Sequence, residues 1–176
     1  VLVIYRQMDF LQNHSPGFDK NHILAVQLPA DSLTQTKGHA LAATLRQYPE
    51  TQDITVSSGF EPISIGPAIF TSNGKKREVM VHFSFIDEHY IPVLGMKLAA
   101  GRNLSLTNTS DKNEGFLVNE AFVKMSGWKQ PIGQPIDGFG HKGKIVGVVK
   151  NFHYKSLHNL VEPLVMVYNK FPPHTL

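Results

Sequence analysis

The hydrophobic pattern alternates between the period of a strand and that of a helix, which predicts a mixed α+β fold. In residues 77–85 every second residue is apolar, the pattern of a strand with one buried face. The Asn73–Gly74 pair just before it predicts a hairpin turn. Residues 145–149 and 164–168 are instead continuously apolar, which predicts strands covered on both faces. The link between them is long enough for a parallel crossover, which needs about a dozen residues.

The N-terminal third predicts a helix followed by a strand–helix–strand unit. The first helix is expected over residues 1–14, and the strands over 22–29 and 53–60. Between the strands, Ser32 is the predicted start of a helix that Pro49 ends. The buried face of that helix is predicted from three residues at helical spacing: Leu41, Leu45 and Tyr48.

The centre of the chain predicts short elements joined by turns. Residues 61–74 are rich in Pro, Gly and Ser and predict a loop with one short strand. Gly95 is expected to close a short helix, while Asn119 caps another helix that Gly127 ends. Residues 107–115 are polar and predict an exposed loop.

Composition places the chain among ordinary globular domains. Its 176 residues are 41% hydrophobic and 18% charged, which suits one domain, or one domain with an insertion, and excludes a disordered tail. The net charge of +3 is too small to indicate nucleic-acid binding, and no basic run is longer than that at 75–77. The absence of cysteine excludes disulfides and thiolate metal sites, and no apolar run approaches the roughly 18–20 residues that span a bilayer.

Nine histidines raise the question of a metal site. The candidate pairs are His82 with His89 and His153 with His158, but neither has the three or four ligands at recognisable spacing that zinc requires. Solvated histidines are the simpler interpretation, so we expect no metal and no cofactor.

Other catalytic patterns are equally incomplete. The stretch at 57–60 lacks the GxSxG form of a nucleophile elbow. The stretch at 138–144 is not a phosphate-binding loop, because Lys144 is followed by Ile145 and a predicted strand, so it is interpreted as a turn. Asp87 and Glu88 precede a predicted helix, where stabilisation by the helix dipole explains two adjacent carboxylates. A carboxylate pair for sugar hydrolysis is an open alternative, but no other feature of the sequence supports it.

We therefore assign no catalytic, cofactor-binding or metal-binding residue and expect the chain not to be an enzyme. The segments expected to be exposed, and therefore available for contacts, are 61–74, 107–115 and the aromatic link 152–154.

Five segments follow one another along the chain: GFDKNHILAVQLP, FIDEHYIPVLGMKLAAGRNLS, GFLVNEAFVKMSG, PIGQPI and GKIVGVVKNFHYKSLHNLVEPLVMVY. Their order resembles the extracytoplasmic core domain of MacB/FtsX-type ABC transporter permeases, particularly forms common in Bacteroidetes-like bacteria. Each segment alone is weak evidence for the resemblance, but the ordered set is specific and covers nearly the whole chain. Members usually continue with a further strand–helix–strand portion, so we expect this chain to be a truncated piece of a longer protein.

The resemblance implies two subdomains. A porter-like βαβ part would combine residues 1–57 with 144–176, and an inserted mixed α/β part would comprise 58–143. Under this interpretation, the polar link before residue 164 joins two strands of the porter-like part and has no catalytic role.

The resemblance also implies a function without covalent chemistry. The domain would be periplasmic, in a bacterial inner-membrane permease that couples cytoplasmic ATP hydrolysis to export or release of an antibiotic, peptide or lipoprotein by mechanotransmission. The implied partners are a cytoplasmic ATPase subunit or domain, a second permease copy and a periplasmic adaptor protein, with no nucleic acid. The alternative is an extracytoplasmic ligand-binding or sensor module without a transport role.

Overall fold

The fold combines short helices with one large sheet, which confirms the predicted α+β class. The computed structural model describes residues 17–19, 23–28, 32–62, 64–154 and 160–168; the predicted helix over 1–14 lies outside them. The helices are α1 (Ser32–Leu45), α2 (Tyr90–Val93), α3 (Asp111–Glu114) and α4 (Glu120–Ser126). The strands are β1 (Ser64–Ser72), β2 (Lys75–Ile86), β3 (Leu98–Gly101), β4 (Gly115–Asn119), β5 (Pro135–Gly138), β6 (His141–Val149) and β7 (Leu164–Tyr168).

The seven strands form a single sheet in the order β3-β6-β4-β7-β2-β1-β5. Strand β5 also pairs with the first half of β6, over residues 141–144. The strands β6, β4, β7, β2, β1 and β5 therefore close into a ring, which we call the closed sheet. Strand β3 lies outside the ring and pairs with residues 147–149 at the end of β6.

This topology contradicts the predicted parallel crossover between residues 145–149 and 164–168. Both segments are buried strands, as predicted, but β4 lies between them. Strand β4 is parallel to β6 and antiparallel to β7, so β6 and β7 run in opposite directions. The long link returns the chain to a position between β2 and β4.

The interior of the closed sheet holds the first hydrophobic core. Every strand of the ring contributes buried side chains to it, and α4 adds Phe122. In β2 the predicted alternation is confirmed, since Val81, Phe83 and Phe85 all belong to this core. The turn between β5 and β6 adds the ring of Phe139, whose centroid lies 4.9 Å from that of Phe83.

A second core covers one part of the outer face of the sheet. Leu117 and Met166 point to it from β4 and β7, and α2 contributes Tyr90 and Ile91. The remaining buried members come from loops and strand ends: Ile86, Leu94, Met96, Leu104, Val146, Val149, Phe152, Tyr154 and Leu164. The sheet therefore has an interior and a covered outer patch, each with its own apolar set.

The predicted hairpin turn at Asn73–Gly74 and the predicted cap at Asn119 are confirmed. Asn73 (φ 51°) and Gly74 (φ 71°) form a two-residue hairpin turn between β1 and β2. Asn119 caps α4 by accepting a hydrogen bond from the Phe122 amide at 2.9 Å, and Gly127 (φ 74°) ends the helix. The prediction for residues 61–74 is wrong in extent, because most of that range is β1 rather than a loop.

The predicted strands of the N-terminal third are not formed. Residues 23–28 have no regular pairing beyond a single bridge at Gln27, and Leu24 is 83% exposed. Residues 53–60 likewise have only a bridge at Ser57. A physical reason is the closure of the sheet, because each ring strand already has two neighbours and a further strand can pair only with the stretches that they leave unpaired, one of which β3 occupies.

The helix α1 is present but buries a different face from the one predicted. Among the side chains of α1 that the structure describes, Gly38 and Ala42 are buried, whereas Leu41 is exposed and Tyr48, beyond the helix, is 57% exposed. The helix ends at Leu45 and is followed by turns, before Pro49.

The predicted division into residues 1–57, 58–143 and 144–176 stays a prediction. The sheet joins the second segment to the third, since β7 lies between β4 and β2. In the described part of the chain, no helix is long and apolar enough to cross a bilayer.

The position of Phe83 inside the closed sheet can be tested against a neighbour on the same strand. Phe83 is fully buried, whereas Met80 is 64% exposed on the outer face. We expect Phe83→Ala to lower the free energy of unfolding by about 3–5 kcal/mol, because it opens a cavity. Met80→Ala should change it by less than about 0.5 kcal/mol. Urea denaturation measures both, and equal effects would contradict the assignment of inner and outer faces.

Candidate functional site

The region we define as the outer segment, residues 32–62, attaches to the closed sheet mainly through side chains. It contains α1 and the chain that leads into β1, and it has no strand ladder with the sheet. Its contacts gather at one end of β2, around the turn that follows Ile86. This junction is the candidate functional site.

Asp87 is the central anchor of the junction. Its carboxylate accepts hydrogen bonds from the Thr55 hydroxyl (2.5 Å) and the Val56 amide (2.9 Å) of the outer segment. It also accepts one from the His89 amide at 3.1 Å, which shapes the turn into α2. Asp87 is buried, and Arg46 Nη2 lies 3.8 Å from its carboxylate. One buried carboxylate thus holds both the outer segment and the turn.

A second anchor joins Asp53 of the outer segment to His89. The two side chains are 2.8 Å apart, and Arg46 Nε lies 3.3 Å from the other oxygen of Asp53. Burial raises the pKa of Asp53, but the hydrogen bonds from His89 and the Ile54 amide, together with the charges of His89 and Arg46, outweigh it and hold this pKa below its usual value. Arg46 also donates to the Ile54 carbonyl, so one guanidinium fixes the bend of the segment.

Backbone and aromatic contacts complete the junction. The Ser58 amide donates to the Phe85 carbonyl (2.9 Å), and the Phe85 amide donates to the Ser58 hydroxyl (3.1 Å). Phe60 packs 4.5 Å from Phe18 and 6.5 Å from Phe152, measured between ring centroids. The end of the outer segment therefore packs into the second hydrophobic core, on the outer face of the sheet.

The neighbouring loop is fixed by an ion pair between Arg102 and Asp111. Arg102 Nη2 lies 2.8 Å from Asp111 Oδ1, and the Ser105 amide donates to Oδ2 at 3.0 Å. The hydrogen bond from Arg102 lowers the pKa of Asp111 most, and the Ser105 amide and the charges of Arg102 and Lys144 lower it further, against the opposing effect of burial. The Asp111 side chain is only 2% exposed.

The polar link before β7 is held by Asn119. Its side-chain oxygen accepts from the amides of Phe122 (2.9 Å) and Leu164 (3.0 Å), and its amide nitrogen donates to the Glu162 carbonyl (2.8 Å). The Glu162 carboxylate lies 2.8 Å from His82 Nε2. One cap residue thus positions both α4 and the entry to β7.

The candidate histidines have separate partners. His82 pairs with Glu162, whereas His89 pairs with Asp53. His153 is half-buried in the link, and His158 lies outside the described residues. Among the residues that the structure describes, no group of three or more His, Asp or Glu side chains could hold a metal ion.

The adjacent carboxylates have unequal surroundings. Asp87 is fully engaged as an anchor, whereas Glu88 is half-buried with one oxygen 3.7 Å from His89 Nε2. The expected helix-dipole role is thus replaced for Asp87 by direct hydrogen bonds. The stretch 138–144 is confirmed as a turn, with Phe139 (φ 54°) and Gly140 (φ 73°) joining β5 to β6.

The segments expected to be exposed differ from one another. The prediction that the aromatic link 152–154 is exposed is wrong, because Phe152 and Tyr154 are buried in the second core on the outer face of the sheet. Residues 107–115 are mostly exposed, but Asp111 within them is buried as the partner of Arg102. The anchoring roles in this region had no signal in the sequence, because each pair joins residues that no local pattern connects.

Comparison with known proteins identifies the fold. The chain resembles the periplasmic region of MacB from Actinobacillus actinomycetemcomitans, with a TM-score of 0.57 and 18% identity, over 82% of this chain and 63% of that one. It also resembles the extracellular domain of the noncanonic ABC-type transporter YknZ from Gram-positive bacteria, with a TM-score of 0.54 and 13% identity, over 82% of this chain and 71% of that one. No family model and no curated protein sequence matches the chain.

These similarities confirm the predicted resemblance at the level of the fold. The chain spans less than two thirds of the MacB periplasmic region.

The anchoring role of Asp87 can be tested against its neighbour Glu88. Asp87→Ala leaves the Thr55 hydroxyl and the buried Val56 amide without their acceptor, which we expect to weaken attachment of the outer segment by about 2 kcal/mol. Cleavage by trypsin after Arg46 should then become about thirtyfold faster. Glu88→Ala is the matched control and should change the cleavage rate by less than about threefold. Equal rates in the two variants would contradict the anchor.

The Arg102–Asp111 pair predicts a defined pH dependence. A pKa lowered by folding stabilises the folded state above the ordinary carboxyl value of about 4, and this stabilisation is lost as the pH falls. We expect Asp111→Asn to cost about 2 kcal/mol at pH 7 and progressively less from about pH 4 downward. Urea denaturation of both proteins at each pH measures the difference. A cost that stays constant through this range would contradict the prediction.

Proposed function

We propose that this chain, which has the fold of the MacB and YknZ extracytoplasmic domains, is the extracytoplasmic domain of an ABC transporter permease. The fold is the observation that carries the proposal, because the MacB structure is a periplasmic region and YknZ is an ABC-type transporter. The proposed location is the periplasmic side of a bacterial inner membrane.

In the proposed mechanism the domain transmits movement and performs no covalent chemistry. ATP hydrolysis on the cytoplasmic side would shift the membrane helices, and these would move the domain between two discrete arrangements. The junction supports this role, because Asp87, Asp53 and His89 are engaged in holding the outer segment. Side chains with such structural partners are suited to attachment rather than to catalysis.

The contrast in attachment supports a specific moving part. The strands of the closed sheet are joined by ladders of backbone hydrogen bonds, whereas the outer segment is held by side-chain bonds to Asp87 and His89, the two bonds between Ser58 and Phe85, and the packing of Phe60. Each such bond contributes about 0.5–1.5 kcal/mol, or more when a charge takes part. We therefore propose that the outer segment and the closed sheet move relative to each other at the predicted boundary between residues 57 and 58.

The proposed partners follow from a permease of this kind. They are a cytoplasmic ATPase subunit or domain, a second permease copy and a periplasmic adaptor protein. The proposed cargo is an antibiotic, a peptide or a lipoprotein, which the domain would export or release without modifying it. Residues 58–143 would form the inserted subdomain of the proposed architecture, and residues 144–176 would complete the porter-like part.

Hydrogen exchange in the complete transporter tests this proposal. The protein that contains this chain would be reconstituted with its ATPase in lipid nanodiscs, with and without trapped ADP–vanadate. We expect nucleotide trapping to change exchange at the amides of Val56 and Ser58, because the junction moves. The amides of Leu117 and Val118 in the central strand β4 are the internal control and should be unaffected.

Two results would contradict the proposal. One is unchanged exchange at the junction under nucleotide trapping. The other is a complete gene that encodes no membrane-crossing segment on either side of this domain, which would favour the sensor module instead.

A further inference from the structure

A cluster of exposed cations lies where the β1–β2 hairpin meets the end of α4. We define the basic cap by five residues: Lys75, Lys76, Arg77, Lys124 and Lys129. All five are exposed. Three come from the hairpin, one from the last turn of α4 and one from the chain just after it. The cap thus unites two parts of the chain that are about fifty residues apart in sequence.

Three hydrogen bonds hold the two parts together. The Ser72 hydroxyl donates to the Ser126 carbonyl at 2.5 Å, and Arg77 donates to the Met125 carbonyl at 3.3 Å. The Trp128 indole donates to the Thr71 carbonyl at 2.9 Å. The two parts of the chain that carry the cap are therefore held side by side, with Arg77 itself bridging them.

The positive charge of the cap is not balanced within the described chain. Among the described residues, none of the five cations forms an ion pair with a carboxylate. Glu78 is the carboxylate that follows on the hairpin, so five cations face one anion in a chain of net charge +3. Like charges held close together repel one another, and a partner of opposite charge would relieve this repulsion.

An exposed apolar strip lies further along the outer face of the hairpin, separated from Lys76 of the cap by Glu78 on the same face of β2. Met80 is 64% exposed and lies opposite Pro67, which is also exposed. Ile65, which is 61% exposed, lies two residues further along β1. Alternation along β2 places Met80 on the same face as Lys76 of the cap.

We infer that the basic cap and this strip bind an acidic polypeptide segment of a partner protein, one that also carries apolar side chains. Charge complementarity identifies the acidic part, and Met80, Pro67 and Ile65 identify the apolar part. The inference goes beyond the proposed transport function and does not depend on it.

A polypeptide fits this surface better than an anionic lipid surface does. The hairpin tip is Asn73–Gly74 and offers no apolar side chain for insertion into a bilayer. Ile65 lies seven residues back from Ser72, which at about 3.4 Å per residue is roughly 24 Å from the tip. A membrane that met the tip would leave the strip in water, whereas a chain lying along the hairpin would reach both.

Binding of a short fluorescein-labelled peptide of repeated Glu-Glu-Leu units to the 176-residue chain tests the inference. The test variant is Lys75→Gln/Lys76→Gln/Lys129→Gln. The matched control is Lys37→Gln/Lys97→Gln/Lys150→Gln, which removes the same charge from exposed positions outside the cap. Exposed ion pairs contribute about 0.2–1 kcal/mol each, so we expect the test variant to bind about tenfold more weakly and the control less than about twofold.

Further measurements distinguish binding of an acidic and apolar polypeptide from an effect of net charge and from binding to a membrane. Binding should weaken with added salt, because screening acts over about 10 Å at 0.1 M. Met80→Gln should weaken binding of the leucine peptide but not of its Glu-Glu-Ser counterpart. Equal losses in the two triple variants would overturn the inference, since net charge alone would explain them. Binding to phosphatidylglycerol vesicles in place of the peptide would also overturn it and would identify a membrane surface.

Discussion

Closure of the sheet is the constraint on which the rest of the structure depends. The pairing of β5 with β6 gives β1, β2, β4, β5, β6 and β7 partners on both sides and encloses one hydrophobic core. Because each ring strand already has two neighbours, a further segment can form a ladder only where those neighbours leave a stretch unpaired. Among the described strands, β3 does so over the end of β6 that β5 leaves unpaired, and the outer segment attaches without a ladder.

That constraint explains why the attachment of the outer segment is polar. A segment that cannot join the ladder still has buried backbone groups that need partners. Asp87 supplies an acceptor for the Val56 amide, and Ser58 exchanges hydrogen bonds with Phe85. A buried carboxylate is tolerated here because donors surround it. The same bonds are few and local, in contrast to the ladders of the ring, which is why the movement proposed above is assigned to the junction.

The sequence predicted those elements whose signals are local. Alternation in β2, the Asn73–Gly74 turn and the Asn119 cap depend on neighbouring residues, and all were confirmed. Residues 22–29 were predicted as a strand because an apolar run has the same pattern whether or not an edge is available to pair with it. The junction could not be predicted, since Asp87 and Thr55 are 32 residues apart and meet only once the ring has formed.

Closure also limits how this domain can contact another protein. An open sheet can add a strand from a partner through backbone hydrogen bonds, which requires little from the partner's side chains. In the ring, where strands are paired on both sides, recognition on the outer wall must use side chains. The β1–β2 hairpin presents such side chains, with cations at its tip and Met80 and Ile65 along its wall. The charge and apolar surface of this wall are therefore the features that we propose to select a partner.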